Sequence, residues 1–319
     1  MKNLRRSLRV LGALSLTGTL LLGGWSAQAA AQPETPSPAL AAVEEDWQNT
    51  TVIAHCLGQV DGHAGTSSQE AFLESYARGL RVLETDFCLT SDGVLAVRHD
   101  FEANSASILG QPDLIGAVTA AQHISTPILG QYQALTAGSL LRLMQGYPEV
   151  WVVTDTKETD PELVRREFEL LVEAADAVDA RASLDRLVIQ VYNTEMKEMI
   201  EEIYPFEHWI MTVYQLPGDT DYGTLADYCA SHGIPVLAVP STRLTAELAE
   251  TVHARGLKLY VHTLNTEEEA LWALEQGADG IYSDSFTDAQ VRLLWAKHKL
   301  SLCAELFPSA AVQILERAG

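Results

Sequence analysis

The sequence contains few positively charged residues. Lysine and arginine number 21 against 43 acidic residues, and the formal net charge at pH 7 is −22. Nucleic-acid binding depends on basic side chains that neutralise phosphates, so this balance argues against a nucleic-acid partner. An anionic membrane surface would be repelled for the same reason. A bound cation, in contrast, would be electrostatically favoured.

Cysteine is also scarce. The chain has four, Cys56, Cys88, Cys229 and Cys303, and their spacing matches no zinc motif. A chain of this length does not need disulfides to hold its core, so we expect free thiols. A disulfide between Cys56 and Cys88 stays open as the alternative, because both lie near predicted strand ends.

Long apolar runs are absent except at the N terminus. Four basic residues among the first nine precede an apolar stretch at 10–24, and Ala27-Gln28-Ala29 offers a small-residue cleavage site. This pattern predicts a signal peptide at 1–31, with an uncleaved anchor as the alternative. The run is too short for a stable membrane span. We therefore expect a secreted or periplasmic protein with a net charge of about −26, because the removed segment carries four positive charges and no negative one.

No linker rich in glycine, proline or serine interrupts the chain after residue 46. Residues 32–46 are acidic and rich in proline, which predicts a flexible tether outside the fold. The remaining segment, 47–319, has the length of one α/β barrel or two small domains. The missing linker favours a single domain.

Nine strand-like apolar runs occur in this segment, most of them separated by amphipathic helical patterns. Such alternation predicts a parallel sheet, whose closed form is the (β/α)8 TIM barrel. One run, LAVRH at 95–99, follows the strand at 81–87 through the short turn Ser91-Asp92-Gly93, so it has to return as an antiparallel β-hairpin. Eight parallel strands remain, with a hairpin extension after strand 2 and a long loop at 101–149 before strand 3.

The hairpin carries the first candidate functional residues. Glu84 and Asp86 are two residues apart in a strand, so both carboxylates point to one face. A two-residue loop would place His99 opposite Asp86, and a three-residue loop shifts this pairing by one. In either case an imidazole returns toward two acids.

Polar residues recur at the carboxyl ends of the predicted strands, where barrel enzymes build their active sites. The set comprises His55, Glu84, Asp86, Asp155, Lys157, Gln190, Tyr192, His262, Asn265 and Asp284. Helix capping or hydrogen bonding inside the barrel is the alternative role for Asp155, Gln190 and Asp284.

These residue types suit phosphodiester cleavage. Glu84, Asp86 and Asp155 offer three oxygen ligands and no soft ligand, which favours one divalent cation, Mg²⁺ or Ca²⁺. His55 and His99 can take a proton from an attacking hydroxyl and give one to the leaving group.

Substrate contacts are predicted at the same end of the barrel. Lys157 can bind an anionic oxygen as a point charge, and a cation with a lysine stabilises charge on phosphoryl oxygens. Gln190, Tyr192 and His262 are the further candidates for substrate binding.

The motifs together resemble the glycerophosphodiester phosphodiesterases, within the phosphatidylinositol-specific phospholipase C-like superfamily. They are IAH (53–55), LETDFCLTSDGVLAVRHD (83–100), TDTK (154–157), VIQVYN (188–193), YVHTLN (260–265) and GADGIYSD (277–284), in the order that the family has them. The resemblance implies a TIM barrel with His55 and His99 as the acid/base pair. It also implies attack by a neighbouring glycerol hydroxyl of the substrate, through a cyclic phosphate.

The resemblance assigns the binding residues too. Glu84, Asp86 and Asp155 would hold the divalent ion, with Asp155 where the family usually has Glu, and Lys157 would contact phosphate. Two departures affect the substrate. Cys56 stands where the family usually has Arg, and Ser67 where a Pro-Glu-Asn-Thr loop has Asn.

Three functions stay open from the sequence. The first is a secreted phosphodiesterase that hydrolyses glycerophosphodiesters to glycerol phosphate and an alcohol. The second is a phospholipase of the sphingomyelinase D or phosphatidylinositol-specific type, acting on lipid head groups. The third is an inactive barrel that binds a ligand. The aromatic residues at 101–149 are only Phe101, Tyr132 and Tyr147, which favours a small soluble substrate over a bilayer.

Overall fold

Eight parallel strands close into a barrel in the structure, a computed structural model that describes residues 47–306. The predicted signal peptide and tether lie outside the described residues. The strands are β1 (Val52–Ala54), β2 (Val82–Leu89), β3 (Leu95–Val97), β4 (Leu135–Thr136), β5 (Trp151–Asp155), β6 (Leu187–Val191), β7 (His208–Thr212), β8 (Val236–Pro240), β9 (Lys258–His262) and β10 (Gly280–Ser283). Strands β1, β2 and β5 to β10 form the barrel, which the pairing of β1 with both β2 and β10 closes. The predicted (β/α)8 TIM barrel is confirmed.

Helices cover the outside of the barrel. They are α1 (Gln69–Ala77), α2 (Ala103–Ile108), α3 (Ala120–Ser125), α4 (Ala137–Gln145), α5 (Pro161–Ala177), α6 (Thr194–Ile203), α7 (Tyr222–Ser231), α8 (Ala246–His253), α9 (Glu267–Glu275) and α10 (Asp288–Leu306). Several begin where a Ser, Thr, Asp or Asn side chain accepts a hydrogen bond from the first turn, as Thr266 does from Glu269 N at the start of α9. Among the described helices, none is long and apolar enough to cross a membrane.

The barrel interior is apolar at one end and polar at the other. Ile53, Val82, Val153, Val188 and Tyr260 belong to one buried cluster inside the barrel. Because side chains alternate along a strand, the next inward position on each of these strands lies two residues further on, nearer the carboxyl end. Those positions are His55, Glu84, Asp155, Gln190 and His262. The strand pattern alone thus gathers these five polar side chains at the carboxyl end of the barrel.

The hairpin after β2 has a three-residue turn. Strand β3 pairs antiparallel with β2, with Phe87 opposite Val97, and Thr90 N donates to Val94 O. The observed register is therefore the predicted one with a three-residue loop. It places Arg98 instead of His99 opposite Asp86, and Arg98 N donates to Asp86 O at 3.1 Å. The segment at 101–149 is not a structureless loop. It contains α2, α3 and α4, and its strand β4 pairs antiparallel with β3.

The cysteines described by the structure are free. Cys56 and Cys229 are buried and Cys88 is half-buried, and the three form no disulfide with one another. The expectation of free thiols is confirmed for these three residues. The side chain of Cys303 lies outside the described part of the chain.

A buried carboxyl on α5 makes the stability of the fold depend on pH. Glu167 is 5% exposed, its Oε2 has no hydrogen-bond partner, and burial with the charge of Glu158 raises its pKa to about 8. The unfolded chain loses this proton near pH 4.5, so the free energy of unfolding falls by about 1.4 kcal/mol per pH unit between pH 4.5 and pH 8.

We expect Glu167→Gln to unfold at higher urea concentration than the wild type at pH 8, and this difference in midpoint should shrink toward pH 5. Glu173→Gln, at an exposed position of the same helix, is the control and should change little. Equal midpoints for Glu167→Gln and wild type at pH 8 would contradict the assignment.

Candidate active site

Three carboxylates meet inside the barrel at the carboxyl ends of β2 and β5. Asp86 and Asp155 are register partners on these neighbouring strands, and Glu84 lies two residues before Asp86 on the same inward face. All three are buried, and their oxygen atoms lie within 4.8 Å of one another. Three like charges at this spacing repel one another strongly unless a cation lies among them.

Lys157 supplies part of that positive charge. Its Nζ forms an ion pair with Asp86 and lies 3.1 Å from Asp155 Oδ2. The residue adopts a left-handed backbone conformation with φ of 58°, which few non-glycine residues do. Its backbone N–H donates to Tyr192 Oη at 2.6 Å, and this hydrogen bond holds the turn in place. Burial lowers the pKa of the Lys157 ammonium, although Glu84 opposes that effect.

Two tyrosines orient Asp155. The hydroxyl of Tyr192 donates to Asp155 Oδ1, and that of Tyr214 donates to the same oxygen at 3.1 Å. Burial, followed by the charge of Glu84, raises the pKa of Asp155 to about 6, and the tyrosine hydrogen bonds oppose the rise. The carboxylate is therefore fixed in direction but costly to ionise in the absence of a cation.

His55 lies at the end of β1 and forms an ion pair across the barrel seam. Its Nδ1 is 2.7 Å from Asp284 Oδ1, just after β10, and Asn265 Nδ2 donates to the other oxygen of Asp284 at 2.5 Å. Burial disfavours the charged imidazole, but Cys56, the hydrogen bond to Asp284 and Glu84 together hold the pKa of His55 well above its ordinary value. Asp284 correspondingly has a lowered pKa because His55 stabilises its carboxylate. The pair keeps His55 Nε2 directed toward the acids.

A small cavity of about 50 Å³ opens among these groups. His55, Glu84, Asp155, Thr212, Tyr214 and His262 are among its lining residues. Two lining atoms, Thr212 Oγ1 and His262 Nε2, are buried without a hydrogen-bond partner. Burial, and then the charges of His55 and Lys157, lower the pKa of His262 to about 4, so this imidazole is neutral near pH 7. Unpaired buried polar atoms around a cavity indicate that a polar ligand completes it.

Known proteins share this architecture. A model of the glycerophosphoryl diester phosphodiesterase family matches residues 66–287. The chain belongs to this family. Solved structures of similar fold include a glycerophosphodiester phosphodiesterase from Parabacteroides distasonis, with 18% identity, a TM-score of 0.61, and coverage of 79% of this chain and 99% of that one. No curated protein sequence matches the chain.

Two further structures are similar in fold. An Oleispira antarctica phosphodiesterase, solved in complex with the product sn-glycerol-3-phosphate, has 17% identity and a TM-score of 0.59, and the match covers 76% of this chain and 96% of that one. A glycerophosphodiester phosphodiesterase from Thermotoga maritima has 16% identity and a TM-score of 0.53, with coverage of 76% and 98%. At such identities the likeness concerns the fold. Family membership makes the chain a phosphoric diester hydrolase.

The carboxylates fit the divalent cation that glycerophosphoryl diester phosphodiesterases generally use. Glu84, Asp86 and Asp155 provide hard oxygen donors, and Lys157 balances only one of their three negative charges. An oxygen-only donor set of this kind suits Mg²⁺ or Ca²⁺. The burial of three carboxylates beside a single lysine is the observation that supports the fit, since a bound cation would favour their ionised forms.

His99, the second predicted catalytic residue of this phosphodiesterase, lies apart from the acids. Its side chain is 53% exposed and its Nδ1 bonds to Asp100. Within residues 47–306, the structure records no contact between His99 and Glu84, Asp86 or Asp155. The neighbouring Arg98 does not take its place, because its guanidinium is buried against Gln111 and the Phe101 ring. A catalytic role for His99 stays a prediction.

The predicted substrate contacts divide into two groups. His262 lines the cavity, and its Nε2 has no hydrogen-bond partner. Lys157 lies beside Asp155, where its positive charge is available to a phosphate. Tyr192 is fully buried, and its hydroxyl donates to Asp155 and accepts a hydrogen bond from the Lys157 amide, so a substrate contact at this residue stays a prediction. Gln190 reaches the cavity, but its Oε1 accepts a hydrogen bond from Tyr282 at 3.0 Å.

Sequence analysis missed several residues of the phosphodiesterase site. Thr212 and Tyr214 follow the inward alternation of β7, which would have identified both had that strand been followed to its end. The pairing of Asp284 with His55 had no local signal, because it depends on barrel closure. For Cys56 the sequence predicts a free thiol, or a disulfide with Cys88, and no functional role, although the thiol lies inside the site.

Proposed function

We propose that the protein is an exported, divalent-metal-dependent phosphodiesterase that hydrolyses glycerophosphodiesters to glycerol phosphate and an alcohol. One observation carries the proposal: His55, held by a carboxylate, lines one small cavity at the carboxyl end of a TIM barrel together with Glu84 and Asp155, and a third acid and a lysine lie beside these two acids. The Oleispira antarctica relative with bound sn-glycerol-3-phosphate supports the same product class. N-terminal sequencing of protein recovered outside the cytoplasm tests the export.

His55 is the proposed proton donor to the leaving alcohol. Its raised pKa keeps the imidazole protonated near neutral pH, and Asp284 stabilises the charged ring while fixing its direction. His99 is the proposed acceptor of the proton from the attacking glycerol hydroxyl. Its exposed position at the hairpin leaves the ring accessible to a substrate that enters from solvent.

The reaction also requires groups that stabilise the negative charge on the phosphoryl oxygens. Lys157 brings a positive charge next to Asp155, which lines the cavity, and neutral His262 offers an unpaired nitrogen for a substrate oxygen or hydroxyl. A divalent cation held by Glu84, Asp86 and Asp155 would polarise the phosphodiester and neutralise developing negative charge.

The aromatic residues of the segment 101–149 favour a soluble substrate over a lipid in a bilayer. Phe101 stacks under Arg98, Tyr132 is 4% exposed, and Tyr147 packs on Tyr76. None of the three is therefore available as a membrane anchor of the kind that interfacial enzymes use. A deacylated glycerophosphodiester agrees best with this surface.

The decisive experiment compares soluble and lipid substrates. Purified mature protein with Mg²⁺ or Ca²⁺ should release glycerol phosphate from glycerophosphocholine or glycerophosphoethanolamine, because the cation is needed to balance the three acids. EDTA should abolish the release, and an excess of the same cation should restore it. Intact phosphatidylcholine and sphingomyelin vesicles are the comparison substrates. Turnover of the lipid vesicles without turnover of the soluble glycerophosphodiesters would favour the phospholipase function. Turnover of neither kind of substrate would favour an inactive ligand-binding barrel.

A further inference from the structure

Cys56 turns its thiol into the active site through an unusual backbone conformation. The residue has φ of 50° and ψ of 42°, which lies in the left-handed region that is unfavourable for residues other than glycine. Its N–H donates to Glu84 Oε2 at 2.9 Å, so the strained turn is tied to the acid cluster. The side chain is 4% exposed and lies on the inside of the barrel mouth.

The distances around the sulfur match those between ligands of one tetrahedral ion. Cys56 Sγ lies 3.6 Å from His55 Nε2 and 3.6 Å from Asp86 Oδ2. Zinc bonds of about 2.3 Å to sulfur and about 2.0–2.1 Å to nitrogen or oxygen, set at the tetrahedral angle, separate such ligand atoms by roughly 3.6 Å. Glu84 completes the set, because its carboxylate, the thiol and the imidazole lie within 4.8 Å of one another.

Zinc-binding histidines usually donate a hydrogen bond from the other ring nitrogen to a carboxylate or a carbonyl, and His55 already has such a partner. Asp284 Oδ1 lies 2.7 Å from His55 Nδ1, which leaves Nε2 as the ring nitrogen that faces Cys56. Asp284 is itself held by Asn265 and by its own N–H, which donates to Asn265 Oδ1 at 2.9 Å. The imidazole is therefore pre-oriented and loses little rotational freedom on binding an ion.

We propose that His55 Nε2, Cys56 Sγ and the carboxylates of Glu84 and Asp86 form a second cation position that takes a thiophilic divalent ion such as Zn²⁺. This position shares Glu84 and Asp86 with the oxygen-only set but replaces Asp155 by a thiolate and an imidazole, and a thiolate ligand disfavours Mg²⁺ and Ca²⁺. The thiol proton passes to solvent when the metal–sulfur bond forms, and the proton on His55 Nε2 passes to solvent when the metal–nitrogen bond forms. An ion bound there uses the Nε2 lone pair of His55, so the zinc-loaded protein has no free imidazole at that residue.

Cobalt is the probe that detects the thiolate directly. The full mature chain, stripped with chelator and then titrated with Co²⁺, should develop the near-ultraviolet thiolate-to-cobalt charge-transfer band, saturating at one ion per chain. Zn²⁺ should remove the band, and excess Mg²⁺ should not. Cys56→Ser should lose the band, whereas Cys88→Ser, Cys229→Ser and Cys303→Ser should each keep it. Absence of the band in the wild type, or its persistence in Cys56→Ser, would overturn the proposal.

A measurement on the unmodified protein avoids dependence on how the variant folds. X-ray absorption of the zinc-loaded wild type should show one sulfur at about 2.3 Å together with nitrogen or oxygen ligands. A first shell without sulfur would overturn the proposal as well. Both readouts report metal binding without turnover, so their failure is separable from failure of the proposed phosphodiesterase activity.

Discussion

Replacing His55 by alanine is expected to lower kcat/KM for glycerophosphodiesters by about 10²–10⁴-fold, the usual contribution of a general acid or base. The reason is geometric. His55 is the imidazole that lines the cavity while bonded to a carboxylate, and its Nε2 faces the acid cluster. Steady-state assays at saturating metal check the result. His253→Ala is the matched control, because that histidine is exposed on α8 and pairs with Asp279 outside the site.

His99→Ala decides whether the reaction uses one histidine or two. The proposed acid/base pair requires a loss similar to that of His55→Ala. If His99→Ala keeps wild-type kcat while His55→Ala is inactive, the proton acceptor lies elsewhere and the two-histidine mechanism is wrong. Wild-type activity in His55→Ala would show that His55 and the neighbouring acids are not the catalytic site.

Asp155→Asn is expected to abolish catalysis while stabilising the metal-free protein. Loss of one oxygen ligand removes cation binding worth several kcal/mol of transition-state stabilisation, so activity should fall by about 10²-fold or more. The opposite effect on stability follows from the raised pKa of about 6. Between pH 3.8 and 6 the unfolded chain has lost the proton and the folded chain has kept it, so stability falls through that window as pH rises. The full cost, on the order of 3 kcal/mol, is present at pH 8 and is absent from the amide variant.

Urea unfolding at pH 8, in EDTA and then in Mg²⁺ or Ca²⁺, separates the two effects. In EDTA the Asp155→Asn midpoint should exceed that of the wild type. The added cation should stabilise the wild type, because it binds only the folded state, and should leave the variant unchanged. The exposed Asp113→Asn variant should follow the wild type in both conditions. A wild type that gains no stability from any divalent cation would contradict the metal site.

The strand pattern accounts for most of what could be predicted of the site. Glu84 and Asp86 share a face because side chains alternate in every strand, and the same rule continues the inward series from Val153 to Asp155. Lys157 lies beside Asp155 because the two are close in the chain. These predictions needed only local stereochemistry.

Contacts between distant segments could not be predicted in the same way. The hairpin register depended on whether its turn had two or three residues, and the three-residue turn left His99 against Asp100 instead of Asp86. Tyr192 is two positions from Gln190 in the sequence, and only packing across the barrel shows that its hydroxyl donates to Asp155.

The sequence by itself determined eight parallel strands, the hairpin after the second, and a ring of acids and imidazoles at their carboxyl ends, because alternation is a property of each strand taken alone. The tertiary structure alone decided which of these side chains meet. Barrel closure brings His55 to Asp284, 229 positions later, and a left-handed turn at Cys56 points its thiol inward. The physical reason is that side-chain direction within a strand is fixed by its own backbone, whereas proximity across the barrel depends on closure and on backbone angles beyond the strand ends, which the neighbouring elements impose.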